Sequence, residues 1–181
     1  IFPDERGMRA RQLEDCGADL AYVMPSHHFP LGTVMPIQRR MQLLAWAAGG
    51  NRFLIEDDYD SEFRYKGKPV PSLQGYDTTG RVIYLGTFSK SLAPAIRVSY
   101  MVLPPVLLET YRQRASNFSA TVSRVDQKIL ELFLRDGYFE RHLNRMRGIY
   151  RGKHDCLLNC LKGKPGIRIR GENAGVHLLV S

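Results

Sequence analysis

The sequence predicts an α/β fold: a mostly parallel sheet with flanking helices, then connecting helices and the start of a small α+β domain. Three observations carry that prediction. Short apolar runs alternate with a helical period over the first 105 of the 181 residues. Each run ends at proline or in a cluster of acidic or hydroxyl residues, as strands do at the edge where a ligand binds. After Pro104-Pro105 the apolar residues recur at three- and four-residue steps, which is helical.

The elements follow in order. Leu20 to Met24 is a buried strand stopped by Pro25. Pro36 to Ala48 suits a helix with apolar positions 37, 41, 44, 45 and 48, opened by proline and closed by Gly49-Gly50. Arg52–Asp57, Arg81–Thr87 and Val98–Leu103 are further strands, the last ended by Pro104-Pro105. Val106 to about Ala115 is helical. Ser123 caps a second helix that runs to Asp136 and stops at Gly137. Phe139, Leu143, Met146, Tyr150 and Leu157 mark one face of a long third helix ending near Gly163. Ile167–Arg170 and the run from Val176 are strands of a new unit. The expected divisions are therefore residues 1–105, part of a large domain; 106–163, a helical connection; and 164–181, the start of a small C-terminal domain.

Composition excludes several classes. Hydrophobic residues make up 44% of the chain, enough for a packed core, so whole-chain disorder is excluded. No apolar stretch is long enough to span a bilayer, which leaves no membrane role. Three cysteines cannot build a disulfide framework, and a cytoplasmic setting follows. The chain starts at Ile1 and ends within an apolar run, so it reads as a piece of a longer polypeptide. Charge is uneven: residues 1–105 carry 12 basic and 11 acidic side chains, residues 106–170 carry 14 and 6. Without aromatic interleaving, that second half reads as solvated helical faces rather than a nucleic-acid surface.

Lys90 stands just past a buried strand, between Ser89 and Ser91. A lysine amine in a pocket can condense with a carbonyl cofactor. Thr87, Ser89 and Arg97 would put hydroxyls and a guanidinium near it, a set suited to a phosphate. Asp57, at a neighbouring strand end, could pair with a protonated ring nitrogen, and Tyr59 could donate to a phenolate oxygen. Alternation sends Asp57 and Tyr59 to one side and Asp58 to the other. These four functions are what a pyridoxal phosphate site requires. A P-loop is excluded because Ser89 occupies the place of the glycine before the lysine, and a calcium loop because Asp58–Glu62 lacks the central glycine. His27 and His28 are adjacent and point different ways, so at most one is functional. Cys156 and Cys160, one helical turn apart near His154, read as buried thiols rather than metal ligands.

The runs Ile55-Glu56-Asp57-Asp58-Tyr59-Asp60-Ser61-Glu62-Phe63-Arg64-Tyr65 and Gly86-Thr87-Phe88-Ser89-Lys90, continuing to Arg97, resemble fold type I pyridoxal phosphate enzymes. More narrowly, they resemble the aminotransferase-like domain of MocR-type regulators, a branch of the GntR transcription factors. The likeness runs from Pro25 through Leu103. It implies that Lys90 carries the cofactor, pyridoxal 5′-phosphate, as an internal aldimine. It implies that Asp57, 33 positions earlier, faces the pyridine nitrogen, that Tyr59 reaches the ring oxygen, and that Thr87, Ser89 and Arg97 hold the phosphate. Where aminotransferases place asparagine before Pro-Thr-Gly, this chain has Phe29-Pro30-Leu31-Gly32, so His27 or His28 would take over that contact. The resemblance further implies an amine or amino acid sensed by exchange at Lys90, DNA bound only through a winged-helix domain outside this chain, and a homodimer when intact. The alternative reading is a class I/II pyridoxal phosphate-dependent aminotransferase.

Overall fold

A computed structural model describes residues 2–68 and 70–181. One sheet contains β1 (Leu20–Val23), β2 (Phe53–Asp58), β3 (Val82–Thr87) and β4 (Ser99–Val102), in that spatial order. β1, β2 and β3 are parallel, and β4 runs antiparallel to β3. The expected mostly parallel α/β sheet is therefore present. Parallel pairing matters for the site because it brings the carboxyl ends of three strands to one edge.

Helix α1 (Ala10–Asp15) precedes the sheet, and α2 (Ile37–Gly49) makes the crossover from β1 to β2. The core joins Leu13 of α1, Leu43, Trp46 and Ala47 of α2, and Ala21, Val23, Leu54 and Val82 of the sheet. The buried stripe of α2 differs from the expected one. Ile37 and Met41 are exposed, while Arg40, Leu43, Trp46 and Ala47 are buried. The helix is apolar on two faces, and an arginine selects the inner one. Arg40 donates from Nε to the Met35 carbonyl (3.1 Å), from Nη1 to Pro71 (2.7 Å) and from Nη2 to Pro25 (2.9 Å). Those carbonyls and Glu56, 4.0 Å away, make its burial tolerable. Glu56 in turn accepts from the amides of Leu73 and Gln74, anchoring the short helix α3 (Leu73–Tyr76).

The second half is helical, as expected: α5 (Pro105–Ala115), α6 (Arg124–Arg135) and α7 (Tyr138–Leu161). Between β3 and β4 lies α4 (Phe88–Ser91) with a 3-10 turn at Pro94–Ile96. Ser123 caps α6 by accepting from the Asp126 amide at 3.1 Å, and Gly137, at φ 72°, takes the left-handed turn into α7. On α7 the inward stripe drifts from Leu143 through Tyr150 to Leu158, leaving Leu157 exposed. Cys156 and Cys160 are exposed as well, a correction to the buried thiols expected, because they lie off that stripe. Strands β5 (Ile169–Arg170) and β6 (Leu179–Val180) pair antiparallel. Between them the chain returns to the loop after β2: Tyr65 donates its amide to the Asn173 carbonyl (3.0 Å), and Gly175 donates to that of Phe63 (2.7 Å).

Candidate functional site

Alternation along β2 sorts its acids by face. Leu54, Glu56 and Asp58 are buried, whereas Phe53, Ile55 and Asp57 are half-buried on the opposite side. The register pairs Asp57 with Leu85 and Asp58 with Gly86, so Thr87 shares the Asp57 face one step further on. Tyr22 pairs with Ile55 on that face, and its hydroxyl donates to the Asp57 carboxylate. Burial and that acceptor push the Tyr22 phenol up to about 12, so it stays a donor. A cavity of about 380 Å³ lies against Asp57, Leu85, Thr87, Ser99, Met101 and Tyr111.

Thr87 closes β3 and organises the turn after it. Its hydroxyl accepts from the Ser89 amide at 3.2 Å and donates to the Val98 carbonyl at 3.3 Å. The Phe88 amide also donates to Val98, at 3.0 Å, which carries the β3–β4 ladder one step past Thr87–Ser99. The returning chain thus brings Arg97 beside Phe88 and Ser89. Arg97 sits at φ 50° and ψ 36°, a left-handed conformation that costs a non-glycine residue energy and recurs at ligand sites. Lys90, in the last turn of α4, is exposed. Among the described residues, neither Lys90 nor Arg97 has an acidic partner. Two unpaired cations on the turn that follows Thr87 and Ser89 suit a phosphate-bearing group.

Tyr59 lies just beyond β2. Its hydroxyl donates to the His27 carbonyl at 2.8 Å, and burial raises its pKa. His27 is fully buried, with Nδ1 3.0 Å from Asp60 Oδ2. The same carboxylate oxygen accepts from the Val176 amide at 3.0 Å. The neighbouring His177 ring packs against that of His27, with centroids 4.1 Å apart and planes tilted by 34°. The His28 amide donates to the Thr33 carbonyl (2.9 Å), and burial lowers the pKa of its ring.

The structure brings Asp57 and Thr87 to one face, with Ser89, Lys90 and Arg97 on the turn beyond. It commits His27 and the Tyr59 hydroxyl to bonds within the chain. Sequence reasoning missed Tyr22, Asp60 and His177. Tyr22 had one usable signal, a phenol in the strand before that of Asp57, but only the β1–β2 register joins them. Asp60 and His177 meet across 117 residues, and no local pattern reports that.

Residues 12–181 match the family described as aminotransferase class I and II. The chain belongs to that family. Within it, the chain is 49% identical, over 99% of its length, to the uncharacterized HTH-type transcriptional regulator YhdI of Bacillus subtilis (strain 168), of which it covers 39%. It is 44% identical, over 72% of its length, to the probable rhizopine catabolism regulatory protein MocR of Rhizobium meliloti, covering 27% of that protein. Among solved structures, kynurenine aminotransferase from Pyrococcus horikoshii, in complex with PMP, superposes with a TM-score of 0.88 at 29% identity, over 100% of this chain and 48% of that one. The chain thus spans well under half the length of its curated relatives. It is an aminotransferase-like domain homologous to those of MocR/GntR-type regulators, and the aminotransferase fold inferred from its sequence is the one it has.

Proposed function

We propose that this chain is the pyridoxal phosphate-binding, effector-sensing part of a MocR/GntR-type transcription regulator. The observation that carries this reading is the 49% identity, over nearly the whole chain, to an HTH-type regulator, against 29% to a solved aminotransferase. When bound, the cofactor supplies an aldehyde that condenses with primary amines and a ring that accepts electrons. This chain's residues would do the rest. Lys90 offers the anchoring amine. Asp57, oriented by the Tyr22 hydroxyl, would hold a proton on the pyridine nitrogen. Tyr59 would donate to the ring oxygen after giving up the His27 carbonyl. Thr87, Ser89 and Arg97 would grip the phosphate. His27 could contact the cofactor only through Nε2, since Asp60 holds Nδ1, whereas His28 keeps its ring nitrogens free of protein partners among the described residues. An amine or amino acid competing with Lys90 would shift the domain between states and alter DNA binding elsewhere in a longer, homodimeric, cytoplasmic protein. In the divisions expected from sequence, residues 1–105 would carry the cofactor contacts, 106–163 the connection, and 164–181 the start of the small domain.

Borohydride reduction of the full-length protein loaded with pyridoxal phosphate, followed by peptide mapping, tests the anchor. A phosphopyridoxyl label on Lys90 is expected, and one on any other lysine refutes the assignment. Amino-acid titration of DNA binding then separates the two functions. A changed operator affinity without keto-acid release supports the regulator, and sustained keto-acid release supports an aminotransferase, the reading favoured by the solved neighbours.

A further inference from the structure

Asp57 and Asp58 are neighbours in sequence on opposite faces of β2, and the Asp58 face opens on a second cavity, of about 520 Å³. Asp58, Glu62, Arg64, Ser72, Tyr84 and Arg147 line it. We propose that this cavity binds a small zwitterion, a free α-amino acid by chemical class, separately from the Lys90 edge.

Here the fold buries charged groups without pairing them. Asp58 is only 8% exposed, and its Oδ2 accepts from the Ser61 hydroxyl (2.7 Å) and the Tyr84 hydroxyl (2.8 Å). Its Oδ1 is buried with no partner among the described residues. The Arg64 Nε is likewise buried and unpartnered, and its guanidinium makes no ion pair among the described residues. An unmet buried donor or acceptor is costly, and doubly so for charged groups. Asp58 and Arg64 share a cavity wall yet do not approach within ion-pair distance. A molecule carrying an ammonium and a carboxylate would satisfy both. Arg147 stands ready for the same carboxylate: its Nε and Nη1 are spent on the Glu62 carbonyl and Asn144, and Nη2 is not. Arg40 touches the cavity but is spent on backbone carbonyls.

Charge balance chooses the class of ligand. Two carboxylates, Asp58 and Glu62, face two guanidiniums with donors to spare, Arg64 and Arg147. A simple anion would meet the carboxylates, and a simple amine would meet the guanidiniums. A zwitterion faces opposite charge at both ends. Burial raises the pKa of both Asp58 and Glu62, as expected of carboxylates awaiting a cation.

The test uses the full-length protein and calorimetry with L-alanine, with propionate and ethylamine as probes bearing one charge each. With the lysine edge blocked as below, one saturable L-alanine site per chain is expected, at least about tenfold tighter than either control. Arg64→Gln and Asp58→Asn should each weaken it by about tenfold or more. Arg64→Gln, at a half-buried loop position, keeps the test sound if Asp58→Asn impairs folding. Borohydride fixation of pyridoxal phosphate on the protein blocks the lysine edge. L-alanine binding that survives this block and falls in Arg64→Gln supports the site. Absence of a saturable signal, binding abolished by the block, or binding indifferent to Arg64→Gln and Asp58→Asn overturns it. Failure to fix any cofactor would count against the function proposed above and leave this measurement intact.

Discussion

At the scale of single residues, strand alternation gives Asp57 and Asp58 different work. Asp57 lies with Tyr22 and Thr87 on the open face, while Asp58 is buried under Ser61 and Tyr84. Asp57→Ala should therefore weaken pyridoxal phosphate binding by at least about tenfold with little change in melting temperature. Asp58→Ala should lower the melting temperature and leave cofactor affinity nearly intact. Equilibrium dialysis and thermal unfolding of both variants check this, and equal cofactor losses would defeat it. Gly175 makes a second case. A Cβ there would run into His27 Nδ1 and Asp60 Oδ2, and its φ of 76° disfavours any side chain. Gly175→Ala should destabilise the fold by about 2–3 kcal/mol in urea unfolding. The Asp57/Asp58 split was legible because it needs only the two-residue period of a strand. The His27–Asp60–Val176 junction was not, since it depends on how distant loops meet.

At the scale of elements, caps and strand ends were legible and helix faces were less so. Ser123, Gly137 and Pro104-Pro105 announce their boundaries through local backbone chemistry, which needs no tertiary information. The inner face of α2 was hidden because a buried Arg40 counts as polar in any periodicity and reveals itself only through the carbonyls of Met35, Pro71 and Pro25. The link from α3 to β3 depends on Asp77, which accepts from the amides of Thr79 (2.9 Å) and Val82 (2.8 Å) and from that of Arg81. Burial works against its ionisation, but these donors outweigh burial and hold the carboxyl below its ordinary 3.8. A depressed folded-state pKa stabilises above the unfolded value, and the gain is lost as pH falls through the folded one. Asp77→Ala should therefore cost about 1–3 kcal/mol at pH 7, with the gap to wild type closing as pH drops below 3.8. A gap independent of pH would show that the ionised form is not what organises this turn.

For the whole molecule, the two halves differ in what sequence can say about them. The sheet was legible because buried parallel strands read as apolar runs, and the Lys90 turn because its residue types converge on one chemistry. What covers the Asp57 face was not legible: Leu20, Tyr22 and Met101 stay exposed there, 54%, 47% and 43% respectively, which is the surface left when the described residues supply no second layer. The net charge of +8 arises almost wholly after residue 105, and the structure shows how that charge is deployed. Arg141 lies over Tyr138, Lys153 over Tyr150, Lys128 pairs with Glu131, and Lys162 approaches Glu172. Each of these four cations is tied to a neighbour within the chain. DNA bound by such a surface would be held through phosphates alone, and each phosphate contact releases counterions. The 181-residue chain should therefore bind duplexes of unrelated sequence equally, with a dissociation constant no tighter than about 10⁻⁶ M at physiological salt, and affinity should fall steeply as salt rises. Fluorescence anisotropy across a salt series, with excess unlabelled bulk DNA as competitor, reads both features. Tight binding of one sequence that withstands the competitor would mean that α6 and α7 themselves carry base recognition, and the regulator reading would have to place its DNA contacts in this chain.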